Sequence, residues 1–230
     1  MAIRVNEYCP PFTADKVTRD NCRKLVGGLW KEMGELQLNF MKTRGGLLPE
    51  MTLLDLGCGC FRGGIHFIRY LNEGGYYGLD ISTSLISAGF EYELPQAGLK
   101  LARDHVIASD HFDASSFGVQ FDRVLAVSLW THLPLNHIQR SLWEVSRVLK
   151  PGGIFYTSVF WCPDPLALLS PLRHESGGVV SYRDLDPYHY CQGDFDFLLF
   201  QLSIPLRLQW IGEWEHPRDQ QMVAFHRLDI

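Results

Sequence analysis

The chain of 230 residues has no run of lysine or arginine, and its 21 basic residues are outnumbered by 26 acidic ones, for a formal net charge of -5. That balance argues against a nucleic-acid partner, whose backbone phosphates have to be met by a basic surface. No apolar stretch is long enough to cross a bilayer, and residues 1–20 lack a long hydrophobic segment beside a basic flank. The expectation is a soluble, cytoplasmic protein with no membrane partner. Cysteine is scattered as well: of six, only Cys58 and Cys60 lie close together, inside a glycine turn that needs small residues. Neither a disulfide framework nor a metal site is therefore expected. At this length the chain buries a sizeable core without such staples.

What is present begins with Leu53-Leu54-Asp55-Leu56-Gly57-Cys58-Gly59, which reads as a buried strand delivering an acidic residue into a glycine turn. Glycines there let the backbone pass close to a ligand, and a helix is predicted to follow over residues 62–71. A ligand would lie beyond the carboxyl end of the strand, against the unpaired amides of the first helical turn. One cofactor class is opposed by what is missing. A dinucleotide fingerprint requires GxGxxG, and counting from Gly57 and Gly59 the third position is Arg62.

Later segments extend the pattern. Tyr76-Tyr77-Gly78-Leu79-Asp80-Ile81-Ser82 reads as a second strand ending in a carboxylate, where ribose hydroxyls are commonly received. Asp80 could accept from both hydroxyls, and it would repel a 2′-phosphate; its competing role is to cap the helix predicted over 82–90. A third strand near residues 105–108 runs into Ser109-Asp110-His111-Phe112-Asp113, and Asp113 is read as capping the turn towards Phe117. The fourth strand, residues 121–128, is followed by Leu129-Trp130-Thr131-His132-Leu133-Pro134. Then comes a helix with Leu135, Ile138, Leu142, Val145 and Leu149 on one face, stopped by Lys150-Pro151-Gly152-Gly153 before a fifth strand over 154–160. Strands alternating with helices imply a mostly parallel sheet with ligands at its carboxyl edge.

Taken in order over about residues 50–160, the Asp55-x-Gly57-x-Gly59 turn, Asp80, the segment after the fourth strand and Leu149-Lys150-Pro151-Gly152-Gly153 resemble the class I S-adenosylmethionine-dependent methyltransferases, of the type that tailors small molecules such as natural products or sugars. One departure is Phe61, which stands where a third glycine is common. The resemblance implies an α/β, Rossmann-like fold: a seven-stranded, mostly parallel sheet with an antiparallel closing strand and helices on both faces. Residues 1–48 would be an N-terminal helical cap, helical from about 15 to 45, and 49–230 the cofactor-binding domain, with a lid-like insertion over about 161–191. It further implies S-adenosyl-L-methionine as cofactor and S-adenosyl-L-homocysteine as product. Asp55, Gly57, Cys58, Gly59 and Arg62 would hold it at the turn, Asp80 and Ile81 at the ribose, and Asp110, His111 and Phe112 at the adenine. Ser128 and Leu129 would contact it at the end of the fourth strand, and Gln37 would reach it from the cap.

The acceptor is less legible. Pairs of glutamates that hold guanidinium, and the Asn or Asp with Pro-Pro of enzymes that methylate bases or glutamine, are absent, which favours a small organic acceptor methylated on oxygen or nitrogen. Abundant aromatic residues point to a flat or apolar one, and His189-Tyr190 with Gly212-Glu213-Trp214-Glu215-His216-Pro217-Arg218 loosely resembles bacterial methyltransferases that tailor secondary metabolites or surface sugars. Candidates for gripping it are Trp130, then Trp161 and Tyr188 from the insertion, then Trp214, His216 and Arg218 between the last two strands; ordinary packing is the competing role of each. A hydroxyl acceptor needs a base, and His132 is the first candidate, His189 the second. A homodimer is compatible with the sequence. Two other functions stay open: a protein that binds the methyl donor without catalysing transfer, and a nicotinamide-dependent reductase.

Overall fold

A computed structural model describes residues 17–229; the first positions of the predicted cap, including Asp15 and Lys16, lie outside them. The chain forms β1 (Leu53–Leu56), β2 (Tyr76–Asp80), β3 (Val106–Ala108), β4 (Phe121–Ala126) and β5 (Leu149–Trp161), two short strands β6 (Leu172–Arg173) and β7 (Val180–Ser181), then β8 (His189–Tyr190), β9 (Leu206–Gly212) and β10 (Gln221–Arg227). The main sheet runs in the order β3-β2-β1-β4-β5-β10-β9. β1 to β5 pair in parallel, while β10 is antiparallel to both β5 and β9, so β9 points the same way as the first five. This is the seven-stranded, mostly parallel sheet with an antiparallel closing strand.

The period-two alternation of the strands builds two cores. Leu54, Leu56, Val124, Ala126, Phe155, Val223 and Phe225 face the side covered by α6 (Leu135–Val148) and α7 (Gln192–Leu202). Leu53, Leu125, Tyr156, Met222 and Ala224 face the other side, under α2 (Trp30–Thr43) and α3 (Gly64–Tyr70). β1 is buried on both faces, which is why it reads as a run of leucines with no alternation. Ile138, Leu142, Val145 and Val148 supply the apolar stripe of α6. The chain between β2 and β3 forms α4 (Thr83–Ala88), a π-helical turn over Gly89–Glu93 and α5 (Leu94–Gln96).

Three sequence expectations are corrected here. The helical spacing from Val17 to Phe40 is divided between α1 (Cys22–Leu25) and α2, because Gly27, Gly28 and Leu29 all take positive φ between them. Lys150-Pro151-Gly152-Gly153 does not lie ahead of the fifth strand. β5 already begins at Leu149, opposite Phe121, and the extra residues are absorbed by a register shift before Arg123 meets Ile154. Finally, residues 161–191 are no open loop: β8 adds to the end of β5, with Phe160 beside His189, and β6 pairs with β7.

Candidate active site

The glycine turn follows β1. Gly57 and Gly59 take φ of 84° and 54°, the left-handed region that costs other residues a Cβ clash. The amides of Gly57 and Cys58 donate to the carbonyl of Leu79 on β2, at 2.7 and 3.2 Å. Phe61, two residues on, also adopts a positive φ, 71°. Its ring is wholly buried, edge-on to Phe90 at 5.3 Å, so ring burial offsets a backbone strain of about 1–3 kcal/mol. The third glycine is thus replaced by a residue that plugs the underside of the turn.

Asp80 ends β2 and is held from two sides. Its Oδ2 accepts from the Gly59 amide and its Oδ1 from the Ser82 amide, both at 2.8 Å. Capping of α4 falls to Ser82, whose Oγ accepts from the Leu85 amide, so the competing role for Asp80 goes to its neighbour. Burial raises the Asp80 pKa, and the two amides pull against that rise. A carboxylate offers about four acceptor positions, two of which these amides leave for a ligand diol.

Above this turn opens a cavity of about 460 Å³. Along its floor and one end it is lined by Gly57, Gly59, Asp80, Ile81, Asp110, His111 and Phe112. One wall is the break between α1 and α2, with Val26 and Gly27. Two arginines pin that break: Arg62 donates to the carbonyls of Val26 (2.6 Å) and Gly28 (3.1 Å), and Arg218 to that of Gly27 (2.8 Å). The other wall holds Ser128, Leu129, His132 and His137, with His216, Pro217 and Arg218 from the β9–β10 connection. There Gln220 Oε1 accepts from Ser128 Oγ at 3.0 Å and from Ser158 Oγ at 2.7 Å. His216 Nδ1 accepts from the Arg218 amide at 3.2 Å. Burial, then the nearby Arg218 and Arg62, lower its pKa to about 3, so it stays neutral through the physiological range. His132 Nδ1 lies 2.6 Å from Asp186 Oδ1.

Thirteen of the residues singled out from the sequence line this cavity: Gly57, Gly59, Arg62, Asp80, Ile81, Asp110, His111, Phe112, Ser128, Leu129, His132, His216 and Arg218. The others lie elsewhere. Asp55 is buried beneath the turn, where Tyr76 donates to it at 2.9 Å and burial raises its pKa to about 7. Cys58 is buried against Gly78, where a Cβ would come within 2.9 Å of its sulfur. Gln37 is buried too, its Oε1 tight against Gly63 at the start of α3. Trp130 is fully enclosed among Phe155, Phe195 and Phe225, with its indole N–H donated to Ser141 Oγ at 3.1 Å. Trp161 lies against Trp210, the rings tilted by 40° with centroids 4.2 Å apart, and Trp214 donates its indole N–H to the Gln220 carbonyl from within the α2 core. His189 is buried between Ser181 Oγ and the Leu168 carbonyl, and Tyr188 donates its amide to Thr131. The insertion therefore docks beside the cavity and lines none of it among the described residues: Trp161 packs on Trp210 of β9 and Phe195 of α7, and Tyr188 stacks on Tyr190 of β8. Sequence reasoning missed Val26, Gly27, His137 and Asp186; only the Gly27-Gly28 pair carried a local signal, that of a helix break.

The sheet order, the glycine turn and the clamped carboxylate at the end of β2 define a class I, Rossmann-like methyltransferase fold, and comparison with known proteins agrees. Residues 54–155 match the family model described as a methyltransferase domain. Residues 54–155 are thus similar to a methyltransferase domain, and the chain shares the fold of solved S-adenosylmethionine-dependent methyltransferases. It is 30% identical over 122 residues to a probable methyltransferase, ltbC, of Aspergillus luteorubrus, covering 48% of this chain and 42% of the relative, so it spans less than half of that protein's length. Among solved structures, that of a magnesium protoporphyrin IX methyltransferase from Synechocystis PCC 6803 with bound S-adenosylmethionine superposes with a TM-score of 0.58 at 14% identity, covering 90% of each chain. An amino pentose methyltransferase from Micromonospora echinaspora, involved in calicheamicin biosynthesis, gives 0.60 at 15% identity over 90% of this chain and 95% of its own. The cradle suits the donor: Gly57 and Gly59 present bare backbone to the cavity, and Asp80 offers a diol acceptor beside it.

Proposed function

We propose that the protein transfers a methyl group from S-adenosyl-L-methionine to oxygen or nitrogen of a small organic acceptor, releasing S-adenosyl-L-homocysteine. The observation that carries this reading is Asp80, fixed by the Gly59 and Ser82 amides at the mouth of a glycine turn and open to the cavity. In this reading Asp80 receives the ribose hydroxyls, Gly57 and Gly59 admit the donor's amino-acid portion, and Asp110, His111 and Phe112 border the adenine. The donor supplies an already activated methyl group, so the protein's task is chiefly to position the acceptor and exclude water. Ser128, His132, His216 and Arg218 form the polar side of the acceptor end. His132 is the base for a hydroxyl acceptor; His189, buried in the insertion, has no part in the reading. The natural-product methyltransferases among the similar proteins favour a small tailored metabolite.

The test is calorimetric titration with S-adenosylmethionine, S-adenosylhomocysteine and the nicotinamide dinucleotides, repeated on Asp80→Ala. The sulfur compounds alone should bind, at least tenfold more weakly to the variant, or about 1.4 kcal/mol. Binding of a dinucleotide, or of none of these compounds, rejects the reading. Donor binding at unchanged affinity in the variant would remove Asp80 from the site.

A further inference from the structure

The insertion that was expected to cover the cavity contributes one group to it indirectly. His132 closes the short helical turn Trp130–His132 after β4, with its amide donated to the Leu129 carbonyl at 3.0 Å. Its ring lines the cavity. Asp186, 54 residues further along, meets its Nδ1 at 2.6 Å. The two side chains are 28% and 24% exposed, so the pair sits at the cavity's rim and not on open surface.

Many close His–Asp contacts are incidental surface pairs, worth little because two mobile side chains have to be held together. Here the backbone does the holding. Tyr188, two residues beyond Asp186, donates its amide to the carbonyl of Thr131, the residue before His132, at 2.7 Å. The Tyr190 hydroxyl donates to the carbonyl of Leu133, the residue after it, and β8 is itself fastened to β5. Residues 131–133 are thus stitched to 188–190 on both sides of the histidine. Asp186 has a short side chain, so this stitching sets its carboxylate opposite Nδ1 with little freedom to leave.

The geometry points to Asp186 as a positioning residue that holds His132 in the Nδ1–H tautomer, with Nε2 as its basic nitrogen, and so to an acceptor that reacts through a hydroxyl group. The inference rests on the methyl-transfer reading above and deepens it. A carboxylate at Nδ1 selects the tautomer, fixes the ring plane and stabilises the imidazolium formed when Nε2 takes a proton. Such an arrangement is useful when the acceptor has to lose a proton as it attacks, as an alcohol or phenol does. An amine attacks through a lone pair that needs no base in the bond-forming step. For a hydroxyl acceptor the balance is complete: the oxygen–methyl bond forms as the methyl–sulfur bond breaks, the donor leaves as a neutral thioether, and the hydroxyl proton goes to Nε2 and then to solvent.

Tautomer state is measurable without an acceptor. Long-range proton–nitrogen correlation spectra of protein labelled with ¹⁵N-histidine, recorded at pH 8, should show His132 as the Nδ1–H form, the resonance being assigned by its loss in His132→Asn. Asp186→Ala should shift it to the Nε2–H form, and Asp186→Asn, which keeps an acceptor oxygen, should retain Nδ1–H. The second arm uses labelled S-adenosylmethionine with a probe panel of catechol, 4-hydroxybenzoate, benzyl alcohol and benzylamine. Transfer is expected to hydroxyl probes, with kcat at least ~10-fold lower in Asp186→Ala while the calorimetric donor affinity stays within twofold. A wild-type His132 in the Nε2–H form overturns the proposal whatever the panel gives, as does transfer confined to benzylamine or an unchanged kcat in the variant. Loss of donor binding by the wild type would instead reject the underlying methyl-transfer reading, so the two failures are distinct.

Discussion

Replacing Asp55 by asparagine should stabilise the protein above neutral pH and leave it nearly unchanged near pH 4. Asp55 is 5% exposed, under the glycine turn, with the Tyr76 hydroxyl as its hydrogen-bond partner at 2.9 Å. Burial, opposed by that hydroxyl and reinforced by the charge of Asp80, raises its pKa from the ordinary 3.8 to about 7. The folded state therefore binds this proton more tightly than the unfolded chain between those two values. The associated stability is fully present below about pH 4 and is lost as pH rises through about 7. Each pH unit over that window carries about 1.4 kcal/mol, so the whole effect is on the order of 4 kcal/mol. Asparagine has nearly the same shape, can still accept from Tyr76 and carries no charge. For a chain of this length about 1 kcal/mol moves Tm by about 2–4 °C, so the variant should melt on the order of 8–16 °C higher at pH 8. Thermal unfolding followed by circular dichroism at pH 4.5, 6 and 8 makes the comparison. If the two proteins lose stability in parallel as pH rises, the ionised carboxylate is not the source of the slope and the argument fails.

His216 should act in the opposite sense. Its folded pKa is depressed from 6.5 to about 3, so its stability contribution is present above pH 6.5 and lost on acidification. At pH 5 that amounts to about 2 kcal/mol, and His216→Gln should flatten the acid side of the Tm profile; an unaltered acid slope would remove His216 as its cause. Gly59→Ala places a Cβ at positive φ and 2.8 Å from Val26 Cγ1 on the cavity wall, so it should lose about 1 kcal/mol of stability and much of its donor affinity. Gly152→Ala, also at positive φ but in open space, should cost stability alone. Calorimetric titration of both variants separates the two, and equal donor affinities would show that the Val26 contact is irrelevant to binding.

Much of the scaffold was legible because its signals are local. The apolar run of β1, the glycines after it, the carboxylate ending β2 and the stripe of α6 are set by residues within a few positions of one another, through backbone sterics and the periods of strand and helix. Asp80 was readable for the same reason, since the end of the second strand fixes where its side chain must emerge. The β9–β10 connection was legible at one remove: two terminal strands of known direction carry His216 and Arg218 back to the carboxyl edge, where both line the cavity.

The aromatic residues were not legible in this way. Trp130, Trp161, Trp214 and Tyr188 lie near the carboxyl edge in sequence, yet Trp130 and Trp214 are buried in the cores and Trp161 and Tyr188 pack against one of them, because a large apolar ring gains more from packing against other apolar groups than from a place at a wet rim. Local spacing determined the strands, the turn and the clamped acid. Tertiary structure alone decided that Arg218 would hold Gly27 across 191 residues and Asp186 would meet His132 across 54, since those contacts depend on how distant segments pack and leave no periodic trace in the chain.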